Sequence, residues 1–137
     1  MFRKQTKYSS CQLIAAINAR IILGGQDVTE VEYEALVDLV KCRHGAAIET
    51  HKAWEYLGLK VENGPVETMD LEWVRTHLPV EIGIYDPKYG FHSVLVVEVI
   101  GKNLRLINAW KEWANFQELE FPPFDYQRTY RAFLWSI

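Results

Sequence analysis

Apolar and polar positions along this chain change period once, at Pro79. Before it the spacing is helical. Leu13, Ile14, Ala16, Ile17, Ile21 and Ile22 crowd a stretch from Cys11 to Leu23, preceded by Ser9-Ser10 and stopped by Gly24-Gly25. Serine is a favoured N-cap and glycine a favoured residue just past a helix end, so a helix spans this stretch. Almost no polar face is left, which marks a helix buried nearly all round. Thr29-Glu-Val-Glu32 is a capping-box pattern. It opens a second, amphipathic helix to about Lys41, with Val31, Leu36, Val37, Leu39 and Val40 expected inward. Gly45 introduces a third helix, about Ala47 to Leu57, closed by Gly58. Lys60 to Glu62 fits a short strand before the Asn63-Gly64-Pro65 break. Asp70 caps a short helix from Leu71 to about Leu78, which Pro79 stops.

After Pro79 the pattern is that of strands. Val80 to Tyr85 is one, and Asp86-Pro-Lys-Tyr-Gly90 is a turn. Phe91 to Ile100 is strongly apolar and rich in valine. Gly101-Lys102-Asn103 turns the chain, and Leu104 to Trp110 runs back. Lys111 to Asp125 reads as irregular, and Tyr126 to Ile137 as a last strand. Glu98 falls on the inward parity of its strand, an odd place for a carboxylate. Helices first and strands afterwards argue for α+β with an antiparallel sheet. No internal repeat, linker or low-complexity stretch appears, so residues 1–137 are expected to form a single domain.

Composition removes several classes. With 137 residues and 49% hydrophobic content the chain can build a core without staples. The two cysteines, Cys11 and Cys42, leave at most one bridge, and a reducing, cytoplasmic compartment with free thiols is expected. Fifteen basic residues stand against eighteen acidic ones, with no basic run, so there is no nucleic-acid footprint. The start, Met1 to Lys7, has a faintly basic character, but Gln12, Asn18 and Arg20 interrupt the apolar stretch that a secretion signal would need. No apolar run is long enough to span a membrane. Cys42, His44 and His51 are spaced as no common zinc site, so neither a metal nor a cofactor is expected, and Cys42 reads as helix packing. The run Glu30, Glu32, Glu34 reads as a solvated helix face.

Candidate chemistry centres on Cys11. It opens a helix, where the positive end of the helix dipole favours a thiolate. Of His44, His51, His77 and His92, only His92 starts a core strand. If the hairpin folds symmetrically about Gly101, His92 faces Trp110 and Asn108 sits diagonally beside His92. All three then share one sheet face. Asn108 could bond one imidazole nitrogen while Trp110 packs over the pair as core and shield. A slip of one residue would break this arrangement.

Gln5, Cys11, His92 and Asn108 resemble, in the same order, the four functional positions of papain-like cysteine peptidases. The intervals from Gln5 to Cys11 and from His92 to Asn108 match those of papain. Asn108-Ala-Trp110-Lys-Glu-Trp113 resembles the family's Asn-Ser-Trp-Gly-x-x-Trp-Gly segment, and Gly90-Phe-His92-Ser-Val-Leu-Val-Val-Glu-Val its histidine-bearing strand. The short chain is nearer to compact relatives of the peptidase C39-like group. That group often has Asp where Asn108 stands, so the asparagine is closer to papain. Gln12, Ser9 and Lys111 depart from the family's usual Trp, Gly and Gly, and these bear on the cleft more than on the triad.

The resemblance implies a papain-like α+β fold, with a central buried Cys-bearing helix packed on a C-terminal antiparallel sheet. It implies a thiol hydrolase acting on an amide or isopeptide bond of a peptide or protein substrate. Cys11 is then the nucleophile, His92 the base and acid, Asn108 the orienting group and Gln5 an oxyanion donor. Tyr8, Tyr89 and Phe91 are the expected cleft-lining residues, by nearness in sequence, together with Trp110. No propeptide precedes Gln5, so zymogen control is not expected. The same triad also serves acyltransferases, transglutaminases and deamidases, and a non-catalytic binding module on the same scaffold is the alternative from another class.

Overall fold

The computed structural model describes residues 2–5, 10–45, 48–64, 70–86, 90–107, 116–121 and 130–135, with main chain alone at 63, 64, 84–86, 90, 91 and 130–135. Helix α1 (Cys11–Ile22) is buried continuously from Leu13 to Ala19, as its lack of a polar face requires. Gly24 ends it at φ +98°, a conformation that glycine alone adopts freely. The N–H groups of Leu23, Gly24 and Gly25 return to the carbonyls of Ala19, Ile21 and Arg20. Ser10 precedes the helix but makes no side-chain cap bond. Its hydroxyl meets that of Tyr33 instead, at 3.1 Å, and ties α1 to the next helix.

Helix α2 (Glu30–Val40) starts with the full capping box. Thr29 Oγ1 accepts from Glu32 N–H, and Glu32 Oε1 accepts from Thr29 N–H. Its buried face is Tyr33, Leu36, Val37 and Val40, spaced i, i+3, i+4, i+7. Val31 and Leu39, expected inward, lie off that stripe. Val31 is 82% exposed. Helix α3 (Thr50–Tyr56) is shorter than expected, and Thr50 at its start donates to Gln12 Oε1 at 3.0 Å. Strand β1 (Leu59–Gly64) is longer than expected. Helix α4 (Leu71–Thr76) is capped by Asp70, whose Oδ1 accepts from Trp73 N–H at 2.8 Å.

Five more strands follow: β2 (Val80–Asp86), β3 (Gly90–Ile100), β4 (Asn103–Ile107), β5 (Gln117–Glu120) and β6 (Tyr130–Trp135). β5 corrects the expectation of an irregular stretch there. Gln-Glu-Leu-Glu has little strand propensity of its own and is held by pairing with β4. The strands form one six-stranded sheet in the order β1-β6-β2-β3-β4-β5, with every neighbouring pair antiparallel.

Helices cover both faces. α1, α2 and α3 pack with Leu59, Leu95 and Ile107 in one core cluster. Val74 of α4 packs with Val80, Ile82, Val94, Val96, Leu104 and Leu106 in the other. Along β3 the odd-numbered Leu95 and Val97 therefore face α1, and the even-numbered Val94 and Val96 face α4.

The β3–β4 hairpin turns in two residues, so Ile100 pairs with Asn103 and Glu98 with Arg105. A bulge between Val96 and Glu98 then inserts one residue, after which Val96 pairs with Leu106 and Leu95 with Ile107. Beyond the bulge the register is the one that symmetry about Gly101 predicts, although the turn itself is shorter. The inserted residue also accounts for Glu98. It reverses the parity, so Glu98 is exposed and meets Arg105 at 3.4 Å.

Candidate active site

The elements above bring the first turn of α1 against β3. The Cys11 sulfur faces the peptide that joins His92 to Ser93, within reach of the Ser93 N–H and hydroxyl. Glu81, on β2, lies close enough for its charge to act on the same sulfur. In register, Glu81 stands across from Leu95 and Gly83 from Ser93, so Glu81 and Ser93 belong to the face that carries α1. Glu81 is only 1% exposed. A carboxylate so buried acts at low dielectric, where its charge is felt strongly.

These neighbours set the thiol's protonation. Burial pushes the Cys11 thiol above its ordinary value, and the Glu81 carboxylate adds to that. The Ser93 N–H and hydroxyl and the Gln12 N–H pull the other way. The net direction is upward, opposite to the lowering expected from the helix N-terminus. Desolvation penalises the thiolate by more than the helix end and three donors recover. Both cysteines are free thiols. Cys42 is fully buried, with its sulfur 3.9 Å from the Val37 carbonyl, as a packing residue would be.

His92 is buried at the start of β3, one residue from the Cys11 contact, and pairs in register with Ile84 of β2. By strand alternation it belongs with Val94 and Val96 rather than with Ser93. Asn108, Trp110, Tyr8 and Tyr89 lie outside the described residues, as does the side chain of Phe91. The β3–β4 register is maintained up to Ile107, the last described residue before Asn108.

Gln5 is 2% exposed and follows a segment clamped to two helices. The amide of Asn18, inside α1, grips Arg3 from both sides: Oδ1 accepts from Arg3 N–H at 2.8 Å and Nδ2 donates to Arg3 C=O at 3.0 Å. The Arg3 guanidinium bonds Asp27 and Glu30 at 2.9 Å each and the Val28 carbonyl at 2.8 Å. It also lies over the Tyr33 ring, 4.6 Å from its centroid. Phe2 packs edge-on against Phe116 at 5.7 Å. Among the described residues, no cluster of three or more His, Cys, Asp or Glu could hold a metal ion. No helix among them is long and apolar enough to cross a membrane.

Sequence reasoning missed Ser93, Glu81, Asn18 and Arg3. Ser93 was hidden by the histidine beside it. Glu81 meets Cys11 only through the fold. Asn18 did carry a signal, being a polar amide in the middle of an otherwise apolar helix.

No family model matches the sequence, and no curated protein matches it. Solved structures do. The peptidase domain of Streptococcus ComA, a bi-functional ABC transporter involved in a quorum sensing pathway, superposes with a TM-score of 0.73. Identity is 12%, over 96% of this chain and 95% of that one. A double glycine motif protease from an AMS/PCAT transporter, solved in complex with the leader peptide, gives a TM-score of 0.66 at 17% identity. That likeness covers 97% of this chain and 89% of the other. Likeness of this extent at such low identity is a likeness of architecture: the chain is built on the compact papain-like α+β fold of the peptidase C39-like domains.

Proposed function

We propose that this chain is a thiol peptidase that cleaves a peptide substrate by acyl transfer through Cys11. The observation that carries the reading is the place of the Cys11 sulfur. It sits at the first turn of a buried helix, against the His92–Ser93 step of a core strand. The fold shared with two peptidase domains supports it.

In this reading the resting thiol keeps its proton, because burial and Glu81 both favour the neutral form. His92, which enters β3 on the face of Val94 and Val96, takes that proton by turning its ring past the strand's end toward the sulfur as the sulfur attacks the scissile carbonyl carbon. The carbonyl π pair moves onto oxygen, and the oxyanion is met by the Gln5 amide and the Cys11 N–H. When the tetrahedral species collapses, the C–N bond breaks and His92 gives its proton to the departing amine. Water, deprotonated by His92, then attacks the thioester, and the sulfur leaves and recovers the proton. Asn108 orients the imidazole through both steps. Tyr8, Tyr89, Phe91 and Trp110 are assigned to substrate contact from their places in the sequence near the triad. A reducing, cytoplasmic setting would keep Cys11 in the thiol form this chemistry needs.

The first substrate to try is a peptide with a double-glycine motif, since one structural neighbour is a protease of that motif seen with its leader peptide. Incubation followed by mass spectrometry should give two fragments and a transient Cys11 adduct, both lost in Cys11→Ala. Cleavage that persists in Cys11→Ala would refute the assignment.

A further inference from the structure

Asn18 is a costly residue where it stands. It is buried in the middle of an apolar helix, and a buried amide destabilises unless its donors and acceptor are matched. Among the described residues its oxygen and one amide hydrogen are met by the main chain of Arg3, taken on both sides. Asn18 and Cys11 lie on the same face of α1, two turns and about 10 Å apart along its axis. Arg3 lies beside Asn18, and Ser10 lies at the head of that helix, next to Cys11. Two extended residues cover about 7 Å. That length lets Gln5 reach from Arg3 toward the Cys11 turn. The second half of the clamp, Arg3 held on Asp27, Glu30 and the Val28 carbonyl, stops the segment sliding or rolling.

We infer that Asn18, with Arg3, is a positioning residue. It places Gln5 for the developing oxyanion while the nucleophile itself is placed by α1 and β3. The inference rests on the proposed acyl-transfer reading. Asn18 then serves only reactions in which a carbonyl oxygen gains charge.

Two small reagents separate these effects at the same sulfur. p-Nitrophenyl acetate acylates Cys11 through a tetrahedral oxyanion. Iodoacetamide alkylates it by displacement at a saturated carbon, with no oxyanion to stabilise. Asn18→Ala should slow acylation about tenfold, less than the ~10²-fold expected of Gln5→Ala, since one oxyanion donor is commonly worth 10²–10³. It should leave alkylation within about twofold of the parent. Gln5→Ala/Asn18→Ala should be no slower in acylation than Gln5→Ala alone, because the two residues act through one group. Arg3→Lys removes the guanidinium fork without touching the helix, and should repeat the pattern if Asn18→Ala proves too unstable to assay.

Equal losses with both reagents would overturn the inference, since they would mean a general loosening of α1. Losses that multiply in the double variant would overturn it too. Acylation that falls in Gln5→Ala but not in Asn18→Ala or Arg3→Lys would overturn this inference alone. Acylation unchanged in Gln5→Ala would overturn the oxyanion role of Gln5, and this inference with it.

Discussion

Ile17 and Ile22 offer a matched test of what holds α1, the helix that opens with Cys11. Both are isoleucines of α1, but Ile17 is 0% exposed and Ile22 is 38% exposed. Truncation to alanine removes three carbons at either site, worth about 0.8 kcal/mol each when fully buried. At Ile17 the transfer loss is therefore about 2.4 kcal/mol. The surrounding core, to which Leu13, Ile14 and Leu36 belong, cannot fully collapse into the gap, so a cavity cost brings the total to about 3–4 kcal/mol. At Ile22 the side chain is already partly in water, and alanine's better helix propensity returns a few tenths of a kcal/mol. The expected loss there is below about 1 kcal/mol. In urea, Ile17→Ala should lower the midpoint strongly with an unchanged m value, while Ile22→Ala moves it little. The thermal midpoint of Ile17→Ala should fall by about 10–15 °C for a chain of this size. Equal losses at the two sites would refute the reading of α1 as a helix buried through its middle and free at its end.

Glu81→Gln should shift the pH profile of Cys11 alkylation to lower pH and speed the reaction at pH 7, because it removes a charge that disfavours the thiolate. Ser93→Ala should shift the profile the other way, and shifts of the same sign would refute the opposed roles of these neighbours. Burial also raises the Cys11, Cys42 and Tyr33 acids in the fold. The unfolded chain gives up these protons first, so stability should decline as pH rises above about 8.5. Cys42→Ala should blunt that decline; a urea midpoint falling as steeply from pH 8 to 10 in the variant would count against it. Thr29→Ala, which removes the hydroxyl that accepts from Glu32 N–H and leaves the Thr29 main-chain bond to Glu32, should cost about 1 kcal/mol in the same urea assay. His92→Ala should abolish peptide cleavage in protein that remains folded; retained turnover would exclude His92 as the base.

What was legible in the sequence was what is decided locally. The capping box at Thr29, the glycine stop after α1 and the valine-rich strand β3 are settled by residues within a few positions of one another, and all three appear. β5 was illegible because its four residues become a strand only by lying beside β4. Val31 and Leu39 were misread as inward because apolar character was weighed without the helical stripe that Tyr33, Leu36, Val37 and Val40 define. At the site, Cys11 and His92 stood out by residue type. Ser93 and Glu81 did not, since their influence on the sulfur exists only where α1 crosses the sheet. The expected lowering of the thiol failed for a related reason. A helix end is visible in sequence, whereas the depth of burial is a property of the assembled core.

The bulge between Val96 and Glu98 divides the hairpin into two lengths of ladder that differ in phase by one residue. The tip obeys the geometry of its two-residue turn, while the inner ladder obeys the demands of the core and of the Cys11 contact at Ser93. A change at Gly101 or Lys102 therefore has a place to be absorbed before it reaches Ser93. The extra residue works as an expansion joint: the outer arm of this hairpin can be lengthened, shortened or exchanged in engineering while the inner arm keeps its alignment with α1.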